Sequence, residues 1–305
     1  MSIRPLSLRE SHESAGEISL RELFDNPHLD IDGRTSKMGL EDLIFAACRG
    51  GWPGAISLRS RKEQLEVARD FVRRVCLEDI SRIDGKRRNG KLAERILRSY
   101  ARHISSYASD RAMLADVTSS GMSCSMDTFE DYNGALRRLS VIQDTDSWCP
   151  PVRSRTAIRR SAIRGFSDPS FAAALLGLSP EDLEVRMKTF CLIFLQMCIR
   201  DLKAYMAGEK GCISCFHDRY GLEADIVLHL EDGRYALMEC RPGGSLVEDG
   251  AGSLIKLSEL IRKHNSEERQ MPVREPDLLI VLTCGEMAYT RTDGVKVIPL
   301  SCLRD

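Results

Sequence analysis

Two acidic residues and one arginine in the C-terminal third of the chain have the types and spacing of a charged site at the end of a strand. Asp225 lies in the apolar stretch "EADIVLHL", and Glu239 and Arg241 occupy alternate positions at the end of "RYALMECR". The short loop between the two stretches ends in Gly233, which suits a type I turn with a bulge glycine. In the hairpin register that this loop sets, Asp225 faces Glu239.

Opposed side chains in a hairpin lie about 5 Å apart, so Asp225 and Glu239 repel each other unless a cation lies between them. Carboxylates are suitable ligands for Mg²⁺, which makes these two residues candidate metal ligands. Arg241, the next residue on the same face, could offset the charge or hold a phosphate group. We therefore take Asp225, Glu239 and Arg241 as candidate catalytic residues. The alternative interpretation is a surface strand with an ordinary Glu–Arg pair.

The elements around these residues indicate a mixed domain. Strand-like stretches alternate with polar turns after residue 210, and the helical stretch "GSLIKLSELIRKHN" separates the third strand from the fourth. A hairpin followed by strand, helix and strand is typical of a mixed α/β sheet. We place the start of this domain at residue 149, so that it covers residues 149–305.

The N-terminal part reads differently, because its apolar residues recur with helical spacing. Residues 1–37 are polar and irregular, with one short amphipathic piece, "ISLRELF", and residues 38–148 contain several helices. The last of these follow the order helix, turn, helix, strand, which is the order of a winged helix. Asp127 and Glu130 predict a capping box at the start of the second of these helices. The predicted fold class is therefore α+β.

The composition is that of a folded protein in a reducing compartment. Of the 305 residues, 43% are hydrophobic, and 44 Lys and Arg nearly balance 45 Asp and Glu. Any nucleic-acid surface must therefore arise from local segregation of charge. The 11 cysteines are odd in number and lie in apolar segments, which indicates free thiols. Without a signal peptide or an apolar run of membrane-spanning length, we expect a cytoplasmic protein with no membrane partner.

Two groups of arginines are candidates for contact with nucleic acid. The connector "CPPVRSRTAIRRSAIRG" has no acidic residue, and it supplies Arg153, Arg155, Arg159 and Arg160. Arg137 and Arg138 lie on the second helix of the predicted winged helix. The alternatives are a solvated connector and a winged helix that contacts protein rather than DNA.

One apparent nucleotide motif does not predict ATP binding. "GKRRNGKL" fits the spacing of a phosphate-binding loop, but it ends in Leu92 where a Ser or Thr should hold Mg²⁺. The stretch also lies between two helices, whereas a phosphate-binding loop follows a strand.

Several blocks together resemble one protein family. They include "RPLSLRESHESAGEISLRELF", "CRGGWPGAI", "FSDPSFAAALLGLSPE", "CIRDLKAY" and "HDRYGLEADIVLHLEDGRYALMEC". The chain resembles the C-terminal part of prokaryotic AAA-type ATPases that carry a domain of unknown function, number 4143. The resemblance implies a helical lid, a winged helix and a domain similar to PD-(D/E)xK nucleases. It also implies that the ATPase core is absent from this chain, which by itself should not hydrolyse ATP.

Two departures from the family pattern argue against nuclease activity. The resemblance implies a third carboxylate in the helix before "CIRDL", where this chain has Leu195. It also implies a lysine where this chain has Arg241, and arginine is a poor replacement because it is not deprotonated in proteins. Asp225 and Glu239 carry over.

We therefore expect a catalytically impaired nuclease-like module that acts in DNA or partner binding. One alternative is an active nuclease that uses Mg²⁺ and tolerates Arg241. The other is a regulatory module that docks on an ATPase core supplied by a separate chain.

Overall fold

The computed structural model describes residues 4–119, 121–149, 161–208, 211–218, 221–267 and 272–305. The protein has helices in its N-terminal part and a mixed six-stranded sheet in its C-terminal part, which confirms the predicted α+β class. Among the described residues, no helix combines the length and the apolar character needed to cross a membrane.

The elements are numbered here in chain order. The helices are α1 (Leu20–Asp25), α2 (Leu40–Arg49), α3 (Pro53–Ile56), α4 (Arg61–Arg74), α5 (Ile80–Arg82), α6 (Gly90–Arg102), α7 (Asp110–Thr118), α8 (Met126–Arg138), α9 (Ser170–Leu176), α10 (Pro180–Val185), α11 (Met187–Tyr205) and α12 (Leu246–Glu267). The strands are β1 (Ile18–Ser19), β2 (Cys212–His217), β3 (Glu223–His229), β4 (Tyr235–Cys240), β5 (Leu278–Thr283), β6 (Tyr289–Thr290), β7 (Lys296–Pro299) and β8 (Leu303–Arg304).

The chain divides into two compact units, each assembled from separate segments. Unit 1 consists of Met1–Leu6, Ile44–Thr145 and Ile163–Arg200, and unit 2 of Ser7–Leu43, Asp146–Ala162 and Asp201–Asp305. Neither unit coincides with one of the consecutive ranges 1–37, 38–148 and 149–305 drawn from the sequence.

Short polar side chains start several helices of unit 1. Asn89 accepts a hydrogen bond from the Lys91 N–H (2.9 Å) at the start of α6, and Ser125 accepts one from the Thr128 N–H (3.2 Å) at the start of α8. Each bond satisfies a backbone donor that the helix itself cannot pair. The capping box predicted at Asp127 is therefore wrong, because Ser125 is the cap and Asp127 lies in the first turn.

A buried carboxylate organises the core of unit 1. Asp168 is fully buried, and it accepts hydrogen bonds from the Gly51 N–H (2.9 Å), the Ser170 N–H (2.9 Å) and the Arg200 guanidinium (3.2 Å). The indole of Trp52 donates to the Ser170 hydroxyl (2.9 Å) beside it. A buried charge is tolerated only when it is paired and hydrogen-bonded in this way.

The sheet of unit 2 has the strand order β2-β3-β4-β5-β7-β6. Strands β2, β3 and β4 form an antiparallel meander, whereas β4, β5 and β7 run parallel. Helix α12 is the crossover between β4 and β5, and its apolar residues pack on the sheet. The core between them includes Tyr235, Leu237, Val281 and Val297 of the strands and Ala251, Leu254, Leu257 and Ile261 of α12.

A second, two-stranded sheet belongs to the same unit. Strand β1 pairs in parallel with β8, with Ile18 opposite Leu303. The segment expected to be irregular thus contains a strand and helix α1, whose Leu20 and Leu23 are buried. The short amphipathic piece "ISLRELF" covers β1 and most of α1, but elements of this length show too little of a period to be assigned as strand or helix.

Candidate functional site

The hairpin of β3 and β4 brings the predicted acidic residues together. Ile226 pairs with Met238, so Asp225 faces Glu239 one residue further along the same register. The loop contains Gly233 with φ of +88°, a left-handed conformation that glycine adopts without strain. The hairpin register and its bulge glycine are therefore confirmed.

Arg241 lies among three carboxylates. Its Nη1 donates to Asp225 Oδ2 (2.8 Å), and its Nη2 forms an ion pair with Glu239 Oε2. The same Nη2 lies 3.5 Å from Glu223 Oε1. Glu223, which the sequence analysis did not single out, precedes Asp225 by two residues and so projects from the same face of β3.

The carboxylates differ in how many hydrogen-bond donors they have. Asp225 also accepts a hydrogen bond from the Cys240 N–H (2.9 Å), so its Oδ2 has two donors. Glu239 is fully buried, and its Oε1 has no hydrogen-bond donor among the residues that the structure describes. Its contact with Arg241 is therefore its main compensation for lost hydration.

These surroundings shift the protonation of the cluster. Burial, and then the charge of Asp225, raise the pKa of Glu239 well above its ordinary value, although Arg241 acts to lower it. Burial also acts to lower the pKa of Arg241, but the charges of Asp225 and Glu239 outweigh it and raise that pKa. Burial and then Asp225 raise the pKa of Glu223. Glu239 therefore takes up a proton more readily than an exposed glutamate does, whereas Arg241 stays charged beside Asp225.

Helix α12 packs closely against the cluster at Gly250. A Cβ atom at Gly250 would lie 3.0 Å from Arg241 Cγ and 3.2 Å from Glu239 Cβ. The absence of a side chain at this position lets the helix approach the ion cluster closely, and it leaves the Arg241 stem no room to move toward the helix.

The arrangement does not fit a divalent metal ion. The guanidinium of Arg241 occupies the oxygens of Asp225 and Glu239 that a metal ion would use, and its charge repels a second cation. Within the described ranges, no group of three or more His, Cys, Asp and Glu side chains is placed to hold a metal ion. Leu195, at the position of the implied third carboxylate, is an apolar residue buried in α11 of unit 1.

The arginines predicted on the recognition helix face carboxylates of the protein itself. Arg137 forms an ion pair with Asp144 (2.7 Å), and Arg138 forms one with Asp84 (2.7 Å). These pairs reduce the charge that either arginine can offer to a phosphate. Arg153, Arg155, Arg159 and Arg160 lie outside the described residues.

Unit 1 has a second basic surface, which was not predicted from the sequence. Lys91, Arg95, Arg98 and Arg102 recur along one face of α6 and line a cleft between α6 and the C-terminal end of α7. Their spacing of three and four residues was visible in the sequence.

Comparisons with known proteins find one family model that is similar to part of the chain. A family model described as "Domain of unknown function (DUF8612)" matches residues 40–182, somewhat less than half of the chain. The match includes the α6 cleft and excludes the hairpin of β3 and β4. No curated protein matches the chain, and no solved structure matches it either.

Proposed function

We propose that unit 2 is a nuclease-like module in which Arg241 neutralises the paired carboxylates of Asp225 and Glu239. In this proposal the protein acts by binding DNA or a protein partner. In this proposal the chain cleaves no phosphodiester and hydrolyses no ATP. The resemblance to the C-terminal part of AAA-type ATPases motivates it, together with the charge arrangement on β3 and β4.

One observation carries the proposal. The guanidinium of Arg241 contacts Asp225 and Glu239, the two carboxylates that would hold a metal ion in an active relative. Arginine remains protonated at every physiological pH, so it can neither release these carboxylates by losing its charge nor act as a base. Because its donors are already used, Arg241 also has little capacity left for a phosphate.

The region after α8 supports the winged-helix part of the proposal. Ile142 pairs with Phe166 and Thr145 with Ile163 in antiparallel bridges. A helix followed by an antiparallel pair of extended segments is the order expected of a recognition helix and its wing. We also propose a cytoplasmic location, because all eleven cysteines are free thiols.

The decisive experiment is a cleavage assay on plasmid and oligonucleotide DNA with Mg²⁺ or Mn²⁺. We expect the wild-type protein to show no more cleavage than Asp225→Ala or Glu239→Ala, and calorimetry to detect no binding of either ion. Arg241→Lys should also be inactive, since Leu195 supplies no third carboxylate. Cleavage by the wild-type protein that is lost in both alanine variants would refute the proposal and favour an active nuclease.

A pull-down tests the remaining alternative. Recovery of a separate chain with an intact phosphate-binding loop, in a stable complex with this protein, would favour a regulatory module that docks on an ATPase core. That result would replace DNA binding with partner binding and leave the absence of cleavage unchanged.

A further inference from the structure

The cationic face of α6 is not explained by the ion cluster of unit 2. Lys91 and Arg98 are exposed and Arg95 is half-buried along the helix. Together with Arg102 they line a cleft of about 600 Å³. At 1.5 Å per residue the four cations span about 16 Å along the helix axis.

The cleft has more positive than negative charge. Its four cations face two carboxylates: Glu94 pairs with Arg98 (2.9 Å) and Asp116 with Arg102 (2.6 Å). Both pairs are solvent-exposed, and such pairs contribute at most about 1 kcal/mol, so a polyanion can displace them. Among the described residues, the remaining two cations of this face have no carboxylate partner.

The length of the face selects a polymer over a small anion. One strand of a duplex carries a phosphate every 3.4 Å or so, which places about five phosphates beside the 16 Å of α6. A single phosphate group would engage only one or two of the four side chains. The array therefore matches a linear backbone of regularly spaced negative charges.

The lining of the cleft distinguishes a duplex from other polymers. Apart from charged residues, its described lining consists of Val117, Ser119 and Met122, without an aromatic side chain. Proteins that bind single strands stack bases on aromatic rings, and protein interfaces concentrate aromatic anchors in a weakly charged core. Neither description fits this cleft.

We propose that the α6 cleft, lined by Lys91, Arg95, Arg98 and Arg102, binds the phosphate backbone of double-stranded nucleic acid without reading its sequence. The inference rests on the proposed function only in that both bring the protein to nucleic acid. It locates binding in unit 1, away from the predicted recognition-helix arginines.

Salt dependence measured by fluorescence anisotropy with a labelled 20-base-pair duplex tests the inference. Four phosphate contacts give a slope of about −3.6 in log affinity against log salt, so binding should weaken about 150-fold between 50 and 200 mM NaCl. Lys91→Gln with Arg95→Gln should reduce the slope to about −1.8 and the weakening to about 12-fold. Glutamine preserves helix propensity, and circular dichroism checks folding.

A matched control carries the same change of charge elsewhere. Lys62→Gln with Arg73→Gln removes two exposed cations of α4 and should leave the slope at its wild-type value. Conversely, Asp116→Asn releases Arg102 and should tighten duplex binding about two- to fivefold, the equivalent of an exposed ion pair.

Three outcomes would overturn the inference. They are absence of duplex binding by the wild-type protein at 50 mM salt, an unchanged slope in the α6 double variant, and preferential binding of a single strand of the same sequence. The cleavage assay is independent, since activity dependent on Asp225 would refute the proposed function and leave these binding slopes unaffected.

Discussion

Replacing Arg241 with methionine tests the view that its guanidinium neutralises the carboxylates of Asp225 and Glu239. The substitution keeps an apolar stem of similar length and removes the charge. Breaking a buried ion pair costs about 3–5 kcal/mol. The Arg241 side chain is 21% exposed and that of Asp225 is 14% exposed, so we expect the lower end, about 3 kcal/mol at pH 8.

The stability lost in the Arg241→Met variant should depend on pH because Glu239 can take up a proton. Its pKa in the folded protein is already raised by burial, and removal of Arg241 takes away the charge that acts to lower it. A carboxyl group that is protonated when folded and ionised when unfolded lowers stability by up to about 1.4 kcal/mol per pH unit as the pH rises. At pH 5, where the raised pKa of Glu239 favours its neutral form, we expect only about 1.5 kcal/mol, the lower value for a hydrogen bond that involves charged groups, here Arg241 and Asp225.

The measurement is urea unfolding at pH 5 and pH 8, followed by the fluorescence of Trp148. This residue packs against Tyr235 and His229 in unit 2, with ring centroids 5.4 Å away from each. A Trp52→Phe background removes the tryptophan of unit 1. An equal loss at both pH values would refute the reasoning, as would a pH dependence that persists when Glu239→Gln is combined with the methionine variant.

Further expectations concern packing in each unit. Gly250→Ala places a methyl group against Arg241, whereas the control Gly252→Ala meets nothing within 4 Å and should gain helix propensity. We therefore expect the Gly250→Ala protein to be at least about 1.5 kcal/mol less stable than the Gly252→Ala protein. Paired urea titrations measure this difference. Equal stabilities would contradict the close approach of α12. Asp168→Ala removes a buried carboxylate that pairs with Arg200 and should cost about 3–5 kcal/mol by urea unfolding, whereas the exposed Asp70→Ala should cost under about 0.5 kcal/mol. A small loss at Asp168 would show that water replaces its bonds.

Local rules predicted the hairpin well. The length of its loop and the position of Gly233 determine which residues of β3 and β4 face each other, so the meeting of Asp225 and Glu239 followed from the sequence. The same rules could not show that Glu223 joins the site or that α12 covers it through Gly250. Those facts depend on packing between elements distant along the chain.

The two basic surfaces show the same limit of prediction from the sequence. The sequence reveals that Arg137, Arg138 and the cations of α6 are all present, but not which of them are neutralised. Asp84, which pairs with Arg138, lies 54 residues earlier in the chain. Only the folded structure shows that the arginines of α8 are paired while part of the α6 face is not.

The pairing of β1 with β8 has a consequence for synthesis of the chain. Ser19 donates a hydrogen bond to the Asp305 carbonyl (2.8 Å) across a separation of 286 residues. At ribosomal rates of about 5–20 residues per second, the segment around Ser19 therefore waits about 15–60 s for its partner. During that time β1 lacks the strand with which it pairs, so this two-stranded sheet can form only after Leu303 and Arg304 have been synthesised.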